Sequence, residues 1–386
     1  MGPMSLRPLS RLALPVLALS VAGCMATTAT PSLVKPTQGV YRLSNGQLVS
    51  VFVNQGHLRV LNYANGEYRA LQPQPHGLWV GGPGATVFSP VSVRVRVQGA
   101  TQITVDGATG RLIRPREQML SFTDRGVHFA ARLLLPSGQG PFPGVVIVPG
   151  SERANRWTYD LWANFYVAHG VAVLTYDKRG VRGSGGVYDS SAATTNLETL
   201  ANDALAALTL LGGQPEIDPG RVGLTGGSQA GWVIEIAAAH SSAVKFAALQ
   251  AAPAMSVDRQ LAYAQITKWG QLSPPPTKAA IQAGLAGKPD GGYDPHADIA
   301  SLHIPVLWQL GSVDKRMYTP ETVANLQQIE STGTYNFTID TYAGGAHSLR
   351  FTRNGLVSQE RSSPGFCPRV FPDLAAWLQS TLFSRG

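Results

Sequence analysis

Cysteine is nearly absent from this chain: 386 residues carry two. Two thiols cannot build a disulfide-dense scaffold. Charge is scarce as well, at 14% of residues against 44% hydrophobic ones. That balance supplies material for a sizeable core and is wrong for a disordered chain. Lysine and arginine number 31 and leave a formal net charge of +8, yet they are spread along the chain. No run of five or six basic residues occurs, and no glycine-rich basic strand with interleaved aromatics, so nucleic acid is not an expected partner. Coiled coils and helical repeats are excluded by 42 Gly and 27 Pro and by the lack of a fixed period. The length leaves room for two domains, or for one large domain with a small companion.

The longest early apolar run, Leu12 to Val21, follows Arg7 and Arg11. A basic start before about ten apolar residues is a secretory signal. It is shorter than the ~20 residues a membrane-spanning helix needs, and Pro15 interrupts it. The segment ends Val21-Ala-Gly-Cys24, which resembles the lipobox of bacterial lipoproteins, with Val21 where Leu is more usual. The resemblance implies cleavage after Gly23, a lipid anchor on Cys24, and a place in the bacterial cell envelope, on the outer membrane facing the periplasm. An ordinary signal peptide ending near a cysteine is the alternative. Residues 1–23 are therefore expected to be a signal peptide and residues 24–38, rich in Thr, Ala and Pro, a tether. Cys367 reads as a small buried hydrophobe.

Residues 39–110 alternate short apolar and polar stretches, among them Leu48 to Val53, His57 to Leu61 and Val91 to Val97. Asn45-Gly46, Asn65-Gly66 and Asp106-Gly107 punctuate them. Alternation bounded by Asn-Gly and Asp-Gly predicts a small antiparallel module. Its expected role is packing or shielding. It is too short for a propeller, which needs four or more blades of ~40–45 residues.

Residues 111–386 read differently. Apolar runs at Val127 to Leu135, Pro143 to Val148, Val171 to Thr175, Arg221 to Thr225 and Ile304 to Leu310 alternate with helical stretches at Trp157 to His169, Asn196 to Leu211 and Trp232 to His240. Such alternation implies a mostly parallel, doubly wound sheet. At its centre, Gly226-Gly-Ser-Gln-Ala230 fits a nucleophile elbow, a tight strand-to-helix turn that lifts Ser228 above the sheet. A Gly-x-Ser-x-Gly/Ala string arises by chance on the order of once in a chain this long. The flanking strand and helix, not the string, carry the reading. Asp314 follows the end of a late strand, where open α/β sheets place their sites. His347 sits in the loop Ala343-Gly-Gly-Ala-His347. Serine, acid, histidine is the chain order such an elbow requires.

From about Glu117 onward these segments resemble the α/β-hydrolase superfamily, nearest its dienelactone-hydrolase-like, acyl-thioester-hydrolase-like and prolyl-peptidase-like serine hydrolases. The motifs are Leu133 to Pro136, Gly144 to Ser151, Tyr176 to Gly180, Gly226 to Gly231 and Gly344 to His347. The resemblance implies an α/β-hydrolase fold and a serine hydrolase acting on an acyl ester or peptide-like substrate. Ser228, Asp314 and His347 would be its triad, and it would use no cofactor. Gln229, with Ser151 or Glu152, would supply the oxyanion-binding N–H groups. The loop Pro149-Gly-Ser-Glu152 departs from the His-Gly-Gly-Gly form. An insertion at about 254–301 is expected to cap the pocket, with Leu261, Tyr263, Ile266 and Trp269 either lining an acyl site or simply buried. A peptidase, or a non-catalytic binding protein on the same scaffold, are the alternatives.

Other chemistry-bearing residues have plainer expectations. Asp294, His296, Asp298 and His303 lack a zincin or EF-hand pattern, so no metal is expected. Asp177, Lys178 and Arg179 are expected to pair with nearby charges. Glu152 is expected to complement a helix dipole, or to meet a substrate amine. His169 and His240 are expected to be dipole partners at helix ends.

Overall fold

The computed structural model describes residues 35–384, apart from Gln55 and Pro289. The expected signal peptide, Cys24 and most of the tether lie outside those residues. None of the described helices is long and apolar enough to cross a membrane.

Nine short strands come first: β1 (Gly39–Leu43), β2 (Leu48–Asn54), β3 (His57–Asn62), β4 (Tyr68–Ala70), β5 (Gln72–Pro73), β6 (Leu78–Gly81), β7 (Val93–Val97), β8 (Gln102–Val105) and β9 (Ala108–Ile113). All pair antiparallel in one sheet ordered 4-3-2-1-9-8-7-6-5. β9 carries the sheet through Ile113, slightly past the expected boundary at 110. Alternate side chains separate its two faces. Tyr41, Val49, Val51, Val60, Val95 and Ile103 make the module's own core.

The second sheet contains β10 (Arg116–Asp124), β11 (Val127–Leu135), β12 (Phe142–Ile147), β13 (Ala172–Tyr176), β14 (Ile217–Gly227), β15 (Ala247–Gln250), β16 (Val306–Gly311) and β17 (Phe337–Tyr342). Its order is 10-11-13-12-14-15-16-17. β10 and β11 pair antiparallel, β11 pairs antiparallel with β13, and every later pairing is parallel. Around it lie α1 (Asp160–Ala168), α2 (Thr194–Gly212), α3 (Ala230–Ala239), α4 (Val257–Ile266), α5 (Lys278–Leu285), α6 (His296–Ala300), α7 (Thr319–Glu330), α8 (Val357–Ser362) and α9 (Val370–Leu378). The apolar runs read from the sequence are continuous because both faces are covered. Val146, Leu174, Trp308 and Leu310 pack with α2, α3, α6 and α7. Their neighbours Val145, Ile147, Val173 and Leu307 pack with α1 and α9.

The antiparallel module is fused to that second layer. Val40, Leu48, Leu61, Tyr63 and Tyr68 belong to the same apolar cluster as α1 and α9. The Tyr63 ring lies 5.2 Å from Phe165 and 4.9 Å from Phe371, and its hydroxyl donates to Leu161 O at 2.8 Å. Tyr68 N donates to Pro364 O at 3.0 Å, and Phe366 N to Gly66 O at 2.9 Å. A shared core and crossing main-chain bonds make module and sheet one compact unit.

Candidate active site

β14 ends at Gly227 and α3 begins at Ala230. Between them Ser228 holds φ at 59°, a left-handed conformation that costs a non-glycine residue about 1–3 kcal/mol and persists only when its surroundings fix it. Ser228 N donates to Gln250 O at 3.1 Å, and Ser228 O accepts from Gly231 N at 2.9 Å. The turn tolerates only small neighbours. A Cβ on Gly226 would lie 2.7 Å from Val148 O and 2.8 Å from the Ala230 Cβ, and one on Gly231 would lie 2.4 Å from the Ala252 Cβ.

Asp314 stands in the turn after β16, and its side chain is fully buried. Its Oδ1 accepts from Arg316 N at 2.7 Å and Met317 N at 2.9 Å, and its Oδ2 meets His347 Nδ1 at 2.8 Å. His347 lies in the loop after β17. Burial pulls its pKa down, but the charge and hydrogen bond of Asp314 outweigh that and leave it raised. Ser228 and His347 line one cavity of about 670 Å³, with Ser151, Glu152, Gln250 and Ala251. No hydrogen bond joins Ser228 Oγ to His347 among the described residues. Such contacts are often loose before substrate binds and tighten in the complex.

Ser151 and Glu152 follow β12 on the rim of that cavity. Neither N–H has an acceptor among the described residues, and nor has that of Gln229 at the N-cap of α3. The neighbouring Gly150 N–H is taken by Tyr159 Oη at 3.1 Å. The Glu152 carboxylate accepts from the same Tyr159 hydroxyl. Glu152 therefore does not sit on a helix N-terminus as expected, because α1 starts only at Asp160.

Lys178 departs from expectation most. Asp177 and Arg179 do pair with charges, Asp177 with Arg156 at 3.4 Å, and Arg179 with Asp203 and Asp124. Lys178 has no carboxylate within 4.0 Å among the described residues. It is 1% exposed, and its ammonium donates to Gly150 O and, at 3.1 Å, to Gln229 Oε1. Burial lowers its pKa to about 8 against the pull of Glu152, Asp189 and Asp203. It thus ties Gly150, which precedes Ser151, to Gln229, which follows Ser228. The available signal was its position just past the end of β13, where open sheets gather functional groups.

None of the described residues of the insertion at 254–301 lines the cavity that holds Ser228. Tyr263, Ile281 and Leu285 form a small core of their own, and Trp269 is 46% exposed. Leu261 packs on the main core and Ile266 on the small one. What the insertion does touch is the acid's loop. Tyr263 Oη donates to Asp314 O at 2.6 Å, and Thr267 Oγ1 donates to Lys315 O. The cavity wall comes instead from Asn54, Arg59 and Tyr68 of the module and from residues 347–366. Sequence patterning finds amphipathic helices but not which neighbour their apolar face meets.

The remaining candidates are placed simply. Asp294 pairs with His296 at 2.6 Å, Asp298 accepts from Tyr293 Oη at 2.7 Å, and His303 stacks near Tyr335. No group of three such ligands gathers among the described residues. His169 and His240 do cap α1 and α3, each with Nδ1 on the carbonyl four residues back, at 2.8 and 3.0 Å. Burial lowers the pKa of His169, which disfavours a charged dipole partner there. Cys367 is buried, and burial raises its thiol to about 11.

Residues 125–301 match the family model described as X-Pro dipeptidyl-peptidase (S15 family). No curated protein sequence matches the chain. Among solved structures, the chain is similar to Pyrococcus horikoshii acylaminoacyl peptidase, at 14% identity and TM-score 0.53, over 90% of this chain and 57% of that one. It is also similar to the Pyrococcus furiosus esterase Pf2001, at 15% identity and TM-score 0.51, over 69% of this chain and 92% of that one. A third is a Mycobacterium tuberculosis puromycin-hydrolyzing peptidase, at 18% identity and TM-score 0.50, over 90% of this chain and 54% of that one. The chain spans little more than half the length of the two peptidases, and at these identities the likeness is one of fold. With the matched region running from the β10–β11 turn through α6, the chain has an α/β-hydrolase fold and is similar to serine hydrolases of that fold.

Proposed function

We propose that this serine hydrolase cleaves carboxylic esters or related acyl bonds through a Ser228–His347–Asp314 triad and an acyl-enzyme intermediate. The observation that carries the reading is the hydrogen-bonded Asp314–His347 pair on the rim of the cavity that also exposes the strained Ser228 turn. Ser228 Oγ attacks the acyl carbon, and His347 Nε2 takes its proton and passes it to the leaving group. Asp314 holds the Nδ1–H tautomer and stabilises the imidazolium without taking its proton. The oxyanion is received by the N–H groups of Gln229 and of Ser151 or Glu152, each worth about 10²–10³ in rate. Ser151 shares its peptide group with Gly150 O, so the Lys178 ammonium on that oxygen polarises the Ser151 N–H toward the substrate. Water then enters by the same route in reverse and frees the acid.

Fluorophosphonate labelling tests the nucleophile. The adduct should map to the Ser228 peptide and vanish in Ser228→Ala, and labelling retained in that variant removes Ser228 from the role. The family model favours a second reading, an aminopeptidase-like enzyme, in which Glu152 receives a substrate amine. A panel pairing 4-nitrophenyl esters with aminoacyl and X-Pro anilides separates the two. The same proposal puts the mature chain on a lipid anchor at Cys24 in the cell envelope, facing the periplasm. Full-length protein should partition with detergent and lose that behaviour in Cys24→Ala.

A further inference from the structure

The cavity around Ser228 and His347 contains more arginine than acyl transfer requires. Arg59 on β3, Arg316 beside the Asp314 turn, Arg350 just past His347 and Arg361 on α8 all line it. Elsewhere in this molecule a half-buried guanidinium has its carboxylate: Arg132 has Glu117 and Asp160, Arg179 has Asp203 and Asp124, and Arg259 has Glu321. Among the described residues the four cavity arginines have no carboxylate within 4.0 Å.

Their surroundings are built, not incidental. Arg59 is 3% exposed, and only neutral groups hold it: the main-chain oxygens of Asn54, at 3.3 Å, and Ala85. Its guanidinium lies 5.2 Å from the centre of the Tyr68 ring, and that of Arg350 lies 4.5 Å from the same ring. Arg350 otherwise donates to Glu360 O at 3.3 Å. The buried Nε of Arg316 has no hydrogen-bond partner among the described residues. The two carboxylates on the cavity wall are engaged elsewhere. Glu152 accepts from Tyr159, and Glu360 Oε2 accepts from Ser348 N at 3.2 Å. Buried charges are normally paired, and two cations gathered on one ring repel each other unless an anion joins them. A guanidinium fork matches a carboxylate bidentately.

We propose that these arginines form an anion subsite, and that the substrates of this enzyme carry a free carboxylate beside the acyl bond it cleaves. The antiparallel module then has a chemical task, because it supplies Arg59 and the Tyr68 platform to a site whose nucleophile lies on the other sheet. The inference rests on the serine-hydrolase reading of this cavity, and the test separates the two. Turnover of mono-4-nitrophenyl glutarate is compared with that of 4-nitrophenyl valerate, which has the same acyl length without the charge. For a carboxylate on the leaving group, 4-acetoxybenzoate is compared with its methyl ester. At low salt the charged member of at least one pair should win in kcat/KM by about tenfold to a hundredfold, the range of a charge-assisted hydrogen bond. Arg350→Gln and Arg361→Gln should each bring the ratio toward one, and so should raising the salt.

Independently of turnover, calorimetry should detect glutarate, and not dimethyl glutarate, binding to the wild-type protein, with weaker binding in Arg350→Gln. Equal rates for charged and neutral partners in both pairs, or no glutarate binding, overturns the subsite. Glutarate binding without turnover of any ester or anilide upholds the anion site and overturns the hydrolase reading of Ser228. Because Arg361 is exposed, its variant remains informative if substitution of the buried Arg59 prevents folding.

Discussion

The substitution Asp314→Asn distinguishes a working triad from a structural cluster, and the hydrogen bonds around the carboxylate fix its outcome. Asp314 Oδ1 accepts two main-chain N–H groups, at 2.7 and 2.9 Å, while Oδ2 faces His347 Nδ1 at 2.8 Å. An asparagine in this place has one orientation that keeps both main-chain bonds, with its carbonyl on the Oδ1 side. Its NH₂ then points at His347 Nδ1 and must donate to it. The imidazole proton moves to Nε2, the atom that should receive the serine proton, and the base is disabled with the fold intact. The opposite orientation would set two donors against the NH₂ and leave buried N–H groups unsatisfied, at about 1–3 kcal/mol each. The expected result is a fall in kcat of about 10⁴, with a loss of stability no larger than one charge-assisted bond, about 1.5–3 kcal/mol.

4-Nitrophenyl butyrate turnover and thermal melting measure both quantities. In the wild type, kcat/KM should rise with pH as His347 loses its proton, because only the neutral ring is a base. Asp314 holds that pKa up against burial. In the variant burial remains and the carboxylate is gone, so the limb of any residual activity should move to lower pH. A variant within tenfold of wild-type kcat would refute the triad.

Three further outcomes follow from the structure. Lys178→Met should cut kcat by up to the 10²–10³ that one oxyanion donor is worth, with little change in KM. It should also abolish an activity loss that sets in as the wild-type lysine deprotonates near pH 8; an unchanged kcat and alkaline limb would show that Lys178 is only a packing residue. Glu235 is fully buried in α3, both of its oxygens lack hydrogen-bond partners among the described residues, and burial raises its pKa well above the usual carboxyl range. A raised pKa gives stability that is full below the unfolded value and is lost as pH climbs through the folded one, so Glu235→Met should raise the melting temperature more at pH 8 than at pH 5; an equal gain at both would refute the assignment. Cys367, with its thiol pushed up to about 11, should react with a disulfide reagent only on unfolding, and rapid labelling of the native protein would contradict its burial.

Much of this was legible in the chain itself. Apolar runs without polar alternation gave the buried parallel strands, because both faces of such a strand meet helices. Asn-Gly and Asp-Gly turns gave the antiparallel module. The chain order of Ser228, Asp314 and His347 named the catalytic candidates, because the elbow must join a strand to a helix and the other two must follow it on strand ends. These are local or near-local properties: periodicity, turn chemistry and small-residue spacing act within a few residues and leave their mark in the string.

Contacts between distant segments left no such mark. The insertion carries helices that look equally suited to roof a pocket or to pack aside. Only the folded chain shows Tyr263 and Thr267 bracing the Asp314 loop instead. Lys178 read as one charge in a charged triplet until Gly150 and Gln229, 28 and 51 residues away in the chain, came within reach of its ammonium. Arg59 on β3 and Arg350 in the loop after β17 come from distant parts of the chain and meet across the Tyr68 ring. The reason is physical: a side chain's propensity is set by its own backbone, whereas its electrostatic partners are set by whichever surfaces the hydrophobic core presses together.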